Sequence, residues 1–177
     1  MAVTAKKAAR KTPGRTAAKP ARKPTAKPGT AAETRVFRVS LHRRKSIWRD
    51  IELRSKDTLY TLAGFAISAF NFDLDHAFGF YPTSSQNMYR AMPRYELFAD
   101  MGKPTEPGIP GVKTTAIDAV FPQVGHRMTL LFDYGDEWLF NVELTAKSQT
   151  EPRARYPRLL RQAGKAPQQY PQFPDDE

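Results

Sequence analysis

A histidine and several carboxylates are the residues of this chain best suited to metal or acid–base chemistry. Asp73 and His76 lie in one segment, and Asp133 and Asp136 lie in another. Carboxylate oxygens and an imidazole nitrogen bind hard or borderline cations, so one hypothesis is a metal-assisted site built from both segments. The alternative is structural, because Asp side chains around a Tyr-Gly turn accept hydrogen bonds from local backbone amides. We favour the turn interpretation.

Trp48 and Arg49 form a second candidate site, in a predicted strand. Arg49 shares the alternation of the inward residues, which predicts a buried or paired guanidinium, whereas Trp48 points to the other side. In the structural interpretation Arg49 bridges to a carboxylate such as Asp133 or Asp136. In the functional interpretation the pair recognises a phosphate or a partner peptide. We favour the structural one, and we group Trp138 with these residues as a further member of a possible pocket.

The sequence contains no established enzyme signature. It has no cysteine, which excludes disulfides, thiolate catalysis and cysteine-based zinc sites. Its histidines lack triad spacing, and no nucleophile elbow or phosphate-binding loop is present. We therefore predict a protein without catalytic residues, bound metal or cofactor. A metal-dependent enzyme using His76 with Asp133 or Asp136 is the alternative hypothesis, and a plain protein-interaction domain is another.

The charge of the chain is concentrated at its N-terminus. The whole chain is 28 − 18 = +10, and residues 33–177 account for only 19 − 18 = +1. Residues 1–34 lack aromatic side chains and cannot bury enough apolar surface to fold, so we predict a disordered polycationic tail with the composition of histone-like tails. Such a tail binds nucleic acid electrostatically and without sequence preference. The predicted nucleic-acid-binding residues are Lys6, Lys7, Arg10, Lys11, Arg15, Lys19, Arg22, Lys23 and Lys27.

The location expected from these features is the cytoplasm, with association with the nucleoid. The N-terminus has no apolar segment of the kind found in secretory signals. The longest apolar run, residues 59–72, is too short to cross a bilayer. The predicted partners are nucleic acid and a protein, and no membrane.

The elements that would position these residues follow from hydrophobic periodicity. Phe37, Val39 and Leu41 alternate with polar residues, which predicts a strand, and a second strand follows a short polar turn. Asp57 is a suitable N-cap for a helix that continues to about residue 70. We predict an α+β fold with a ββαβ start, a β-grasp, ubiquitin-like mixed sheet with one main helix packed on one face.

The rest of the chain is predicted from turn signals and alternation. Strands are expected at residues 76–81 and 89–101, followed by a loop at 102–115 and a helical turn at 115–121. A hairpin turns at Tyr134-Gly135. The α+β domain is expected to span residues 35–150. Residues 151–177 are expected to be an irregular Pro/Gln-rich segment that packs on the domain or extends from it.

Several spaced motifs resemble the Ri-plasmid ORF-three-like domain family over residues 35–172. That family is associated with mobile elements, and some members are described as transposon passenger (TnpR-like) proteins. The resemblance implies a small α+β fold without an established activity. Members carry histidines where this chain has Phe78 and Phe140, so an inherited polar or metal-binding pocket would be apolar here. The motifs are Val39-Ser40-Leu41, Ile47-Trp48-Arg49, Ala69-Phe70-Asn71-Phe72-Asp73, His76, Asp133-Tyr134-Gly135-Asp136-Glu137-Trp138, Tyr156-Pro157-Arg158 and residues 164–171.

Overall fold

One seven-stranded antiparallel sheet dominates the computed structural model, which describes residues 31–170. Three helices and a 3-10 turn connect its strands. The elements in chain order are β1 (Glu33–Leu41), β2 (Arg44–Arg54), α1 (Leu59–Ala69), β3 (Phe78–Tyr81), the 3-10 turn (Met88–Arg90), β4 (Tyr95–Glu96), α2 (Leu97–Asp100), α3 (Ile117–Val120), β5 (Arg127–Phe132), β6 (Trp138–Gln149) and β7 (Arg158–Ala163).

The strand order is β4-β3-β5-β6-β1-β2-β7, and every neighbouring pair is antiparallel. Two hairpins, β1–β2 and β5–β6, form the centre of the sheet, and β1 pairs with β6 to join them. Strand β1 therefore has a hydrogen-bonded neighbour on both sides, and its apolar side chains Phe37, Val39 and Leu41 are buried in the core.

The predicted α+β, β-grasp-like fold is wrong. A β-grasp sheet is mixed, whereas this sheet contains only antiparallel neighbours. Strand β3, which follows α1 along the chain, does not pair with the first hairpin but lies beyond β6 and β5. The cause is the long β6, whose pairing with the whole of β1 occupies the edge of the first hairpin that another strand would need.

Helix α1 and one face of the sheet enclose the hydrophobic core. The Thr58 side-chain oxygen accepts a hydrogen bond from the Thr61 amide at 3.2 Å, which caps the start of the helix. Leu59 and Leu62 are fully buried and belong to the same apolar cluster as Phe37 of β1 and Phe140 of β6. The helix covers this face because its apolar residues recur at helical spacing while those of the strands alternate.

Three further segments differ from the sequence predictions. Residues 89–101 form the end of the 3-10 turn, the two-residue β4 and α2 rather than one strand. Residues 158–163, predicted to be irregular, form the edge strand β7. Residues 1–30, which carry the nine predicted nucleic-acid-binding cations, lie outside the described residues, and Glu33 and Thr34 are the first residues of β1. In the described part, the longest helix has 11 residues and no helix could span a membrane.

Candidate functional site

A pocket of about 670 Å³ lies at one end of the sheet. The β1–β2 turn and the β5–β6 turn form two of its walls, and the segment after β7 forms the third. The two turns are linked by a 2.9 Å hydrogen bond from the His42 amide to the Leu139 carbonyl. The pocket therefore collects residues from three parts of the chain, and they are Leu41, His42, Arg43, Arg44, Asp136, Glu137, Trp138, Leu139, Pro167, Gln168 and Gln169.

Asp133 shapes the β5–β6 turn. It has a positive φ of 59°, and its Oδ1 accepts hydrogen bonds from the amides of Gly135 at 2.8 Å and Asp136 at 3.4 Å. These contacts confirm the turn interpretation of Asp133. Its Oδ2 lies 3.7 Å from His76 Nδ1, so the carboxylate also attracts the imidazole beside the turn.

His76 belongs to a network that holds the C-terminal segment. Its Nδ1 lies 2.9 Å from Asp75 Oδ1 and 3.1 Å from the Tyr170 hydroxyl, which itself donates to Asp75 Oδ2 at 2.7 Å. The hydrogen bond with Asp75 raises the pKa of His76, and the negative charge of Asp133 adds to this effect. The hydrogen bonds from Tyr170 and His76 lower the pKa of Asp75. The two carboxylates thus stabilise the protonated form of this imidazole relative to that of a free histidine.

Gln169 connects this network to the pocket. Its side-chain amide donates to the Asp73 carbonyl at 3.1 Å and to Asp75 Oδ1 at 3.0 Å, while its Oε1 accepts from the Asp73 amide at 2.7 Å. Gln169 is buried and also lines the pocket. Gln169 lies within one of the family motifs, but no signal in the sequence indicates that it pairs with the backbone of Asp73.

Trp138 forms the apolar floor of the pocket. Its ring lies 4.8 Å from that of Phe72 in an edge-on arrangement, and its indole Nε1 is buried without a hydrogen-bond partner within residues 31–170. A buried indole N–H normally has a partner, so this unpaired donor is an exception among the described residues.

The predicted site residues separate into two groups. His76, Asp133, Asp136 and Trp138 meet at the pocket end of the sheet, with the backbone of Asp73 beside them. Trp48 and Arg49 do not join them.

Arg49 and Trp48 lie on opposite faces of β2. Arg49 is 3% exposed, and its donors reach backbone carbonyls at the ends of α1 and β7 rather than Asp133 or Asp136. The structural interpretation of Arg49 is therefore confirmed, but the predicted carboxylate partner is wrong. Trp48 is partly exposed on the face that α1 leaves open, where the Arg38 guanidinium lies 4.0 Å from its ring centroid.

The metal hypothesis finds no geometric support in the described residues. Within residues 31–170, no three His, Asp or Glu side chains are grouped as metal ligands. His76 Nδ1 already contacts Asp75 and Tyr170, and one Asp133 oxygen is held by turn amides. The arrangement suits the docking of a segment and the binding of a polar ligand better than it suits cation coordination.

Comparisons with known proteins identify a family through one family model and a shared fold through one solved structure. No curated protein matches the chain. A solved structure, the crystal structure of the protein of unknown function MM3350 from Methanosarcina mazei Go1, matches with a TM-score of 0.61 and 17% identity, covering 75% of this chain and 71% of that one. This similarity shows a shared fold. The family model described as plasmid pRiA4b ORF-3-like protein matches residues 33–170. This range includes the whole sheet, the pocket and the His76 network. The chain therefore belongs to this family.

Proposed function

We propose that this protein is a non-enzymatic, mobile-element-associated accessory protein that binds nucleic acid through its cationic N-terminal segment. The observation that carries the proposal is charge segregation: residues 1–32 contain nine Lys and Arg and no Asp or Glu. The sheet domain acts in this proposal as an interaction module that the N-terminal segment retains on nucleic acid. A location in the cytoplasm, at the nucleoid, is part of the same proposal.

The acidic groups of the sheet domain support this assignment because many of them are neutralised within the domain. Each of these carboxylates lies within ion-pair distance of an arginine or lysine of the described residues. The pairs are Glu33–Arg35, Asp50–Arg38, Asp50–Arg161, Glu52–Arg158, Glu151–Arg158, Glu96–Arg94, Glu106–Arg94, Asp118–Lys56 and Glu143–Arg127. Because residues 33–177 are nearly neutral, at 19 − 18 = +1, the excess positive charge of the chain lies in the N-terminal segment, and phosphates are the anions that would match it.

The affinity would come from the release of counterions from the nucleic acid. Each phosphate neutralised by a cation contributes about 0.9 to the slope of log K against log salt for duplex DNA. Residues 1–32 contain no aromatic side chain that could stack on bases. This segment should consequently bind duplexes of different sequence with equal affinity.

A gel-shift experiment on the full chain tests the proposal. In the test variant all nine N-terminal Lys and Arg are replaced by Gln. In the control variant Lys and Arg are exchanged for one another, which keeps the charge. We expect the control to bind duplex DNA as the wild type does, and the neutral variant to lose several units of salt slope. Equal binding by the neutral variant and the wild type would contradict the proposal.

A further inference from the structure

The face of the sheet opposite α1 carries an ordered row of polar side chains. Thr129 of β5 is paired with Asn141 of β6, Asn141 with Ser40 of β1, and Ser40 with Trp48 of β2. Directly paired residues in antiparallel strands point to the same side. Four adjacent strands thus present hydroxyl, amide and indole groups in one line across the sheet.

A second row, of alternating charge, runs beside the first. Arg127 is paired with Glu143, Glu143 with Arg38, Arg38 with Asp50, and Asp50 with Arg161. Ion pairs of 2.9 Å join Arg127 to Glu143 and Arg161 to Asp50, and Arg38 contacts Asp50 through two hydrogen bonds of 2.8 and 2.9 Å. The row contains three cations and two anions.

The cations of this row are outermost. The side chains of Arg127, Arg38 and Arg161 are 70%, 40% and 72% exposed, whereas those of Glu143 and Asp50 are 32% and 2% exposed. A ligand approaching this face therefore meets guanidinium groups before it meets carboxylates. If these ion pairs served only the stability of the sheet, the arginines would not need to be more exposed than the carboxylates.

A groove of about 520 Å³ is lined by the polar row, by Arg127, Glu143 and Arg38 of the charged row, and by residues 82–84 after β3. Lys45 lies at its edge and adds a fourth exposed cation, so that the groove and the charged row carry four cations against two carboxylates. In the groove the Arg38 guanidinium is stacked over the Trp48 indole, with 4.0 Å between the guanidinium carbon and the ring centroid. The stack fixes two planar groups on an exposed face.

We propose that this open sheet face binds single-stranded nucleic acid. Arg127, Arg38, Arg161 and Lys45 would contact successive phosphates, and the Trp48–Arg38 stack would receive an unpaired base. Aromatic and guanidinium planes stack on any base, but only a base that is not held within a duplex can reach them. In the polar row Ser40 and Thr129 are buried, so the half-buried Asn141 amide is the group that would bond to sugars or base edges. This inference rests on the proposed nucleic-acid role and gives the sheet domain its ligand.

Tryptophan fluorescence of the full chain separates this face from the N-terminal segment. The chain has two tryptophans, Trp48 and Trp138, and residues 1–32 contain none. We expect oligothymidylate and oligouridylate of about 16 nucleotides to quench the fluorescence. A Trp48→Phe variant should abolish the quenching, because Trp138 lies at the end pocket. Quenching by only one oligonucleotide would assign the face to DNA or to RNA, whereas quenching by neither would overturn the inference.

A charge-reversal pair provides a matched comparison. The test variant is Lys45→Glu/Arg127→Glu, and the control is Lys103→Glu/Arg155→Glu, which changes the net charge equally at exposed positions outside the groove. We expect the test variant to bind single strands about tenfold more weakly than the control and to lose about 1.4 units of salt slope, 0.7 for each cation. Circular dichroism melting of both variants verifies the fold. Equal affinities, or equal competition by inorganic polyphosphate, would overturn the inference.

The two proposals fail in different ways. If oligonucleotides still quench the Trp48 fluorescence of the variant with the neutral N-terminal segment, the sheet face binds single strands by itself. The N-terminal segment then only adds affinity. If the segment binds duplex DNA but no oligonucleotide quenches Trp48, the inference about the face is overturned and the proposed function remains.

Discussion

Arg49 Nε donates a hydrogen bond of 2.7 Å to the carbonyl oxygen of Ala69, the last residue of α1. Its Nη1 donates to the carbonyls of Ala163 and Gly164 at 3.0 and 3.2 Å, at the end of β7. One buried cation therefore joins the helix to the edge strand, and burial lowers its pKa. All these acceptors are backbone carbonyls. Every residue has a carbonyl, so the sequence does not indicate which ones a buried arginine will contact.

Replacing Arg49 with Met should reduce the free energy of unfolding by about 2–4 kcal/mol, because several buried carbonyls would lose their donor. Arg49→Lys should recover part of the loss, since a single ammonium cannot reproduce the planar set of donors. Urea unfolding followed by circular dichroism measures both. Arg155→Met, at an exposed position, is the control. A loss below about 0.5 kcal/mol for Arg49→Met would contradict this role.

The elements that the sequence analysis predicted correctly are those set by local patterns. Alternating apolar residues identified β1 and the β5–β6 hairpin, and the Asp133 turn follows from side-chain bonds to amides two and three residues away. The N-cap of α1 is Thr58 rather than Asp57, whose Oδ2 instead accepts from the Arg54 amide. Both residue types suit a cap, so the sequence could not choose between neighbours.

The errors arise where distant contacts override the local pattern. In residues 89–101 Tyr89 and Met92 are 42% and 58% exposed, whereas Arg94 and Glu96 are 1% exposed. This reversal of the usual burial follows from contacts of Arg94 and Glu96 with each other and with Thr105, nine or more residues along the chain, which periodicity cannot reveal. The pairing of β1 with β6 could not be predicted from local patterns either, because β6 begins about 100 residues later in the chain. Gln169 likewise bonds to Asp73 across a separation of 96 residues.

Gly164→Ala should be more destabilising than Gly102→Ala, although both glycines have nearly the same φ, 73° and 71°. A Cβ at Gly164 would lie 2.9 Å from an Ile47 side-chain atom and 3.0 Å from its Cα, whereas a Cβ at Gly102 has no neighbour within 4 Å. The backbone strain of about 1 kcal/mol is common to both, so the difference isolates the steric contact. We expect a further 1–3 kcal/mol, roughly, at Gly164, measured by urea unfolding. Equal losses would show that β7 moves away from β2 without penalty.

Arg94→Met should cost about 3–5 kcal/mol, because it leaves the carboxylate of Glu96 buried without its cation. Arg94 Nε lies 3.1 Å from Glu96 Oε1, and both side chains are 1% exposed. The Thr105 hydroxyl and amide also donate to Glu96, so the double variant Arg94→Met/Glu96→Gln should recover part of the loss. Chemical denaturation of the two single variants and the double variant gives the coupling energy. A coupling near zero would contradict a direct ion pair.

The stability of the C-terminal segment should depend on pH through His76. Its pKa is raised in the folded protein, chiefly by the hydrogen bond with Asp75. A raised pKa means that the folded state favours the protonated imidazole. The contribution of His76 to the stability of the folded protein is therefore complete at a pH below 6.5, the ordinary pKa of histidine. This contribution is lost as the pH rises through the pKa of His76 in the folded state.

Melting temperatures measured across this range should show the loss directly. The difference in melting temperature between the wild type and His76→Gln should decrease as the pH rises above 6.5. The control is His126→Gln, which leaves the contacts of His76 with Asp75 and Tyr170 intact. Its melting temperature should vary with pH as that of the wild type does. Asp75→Asn removes the principal cause of the shift, so the pKa of His76 measured by NMR should be lower in that variant. If Asp75→Asn left this pKa unchanged, the contact between His76 and Asp75 would not hold the C-terminal segment in the manner described.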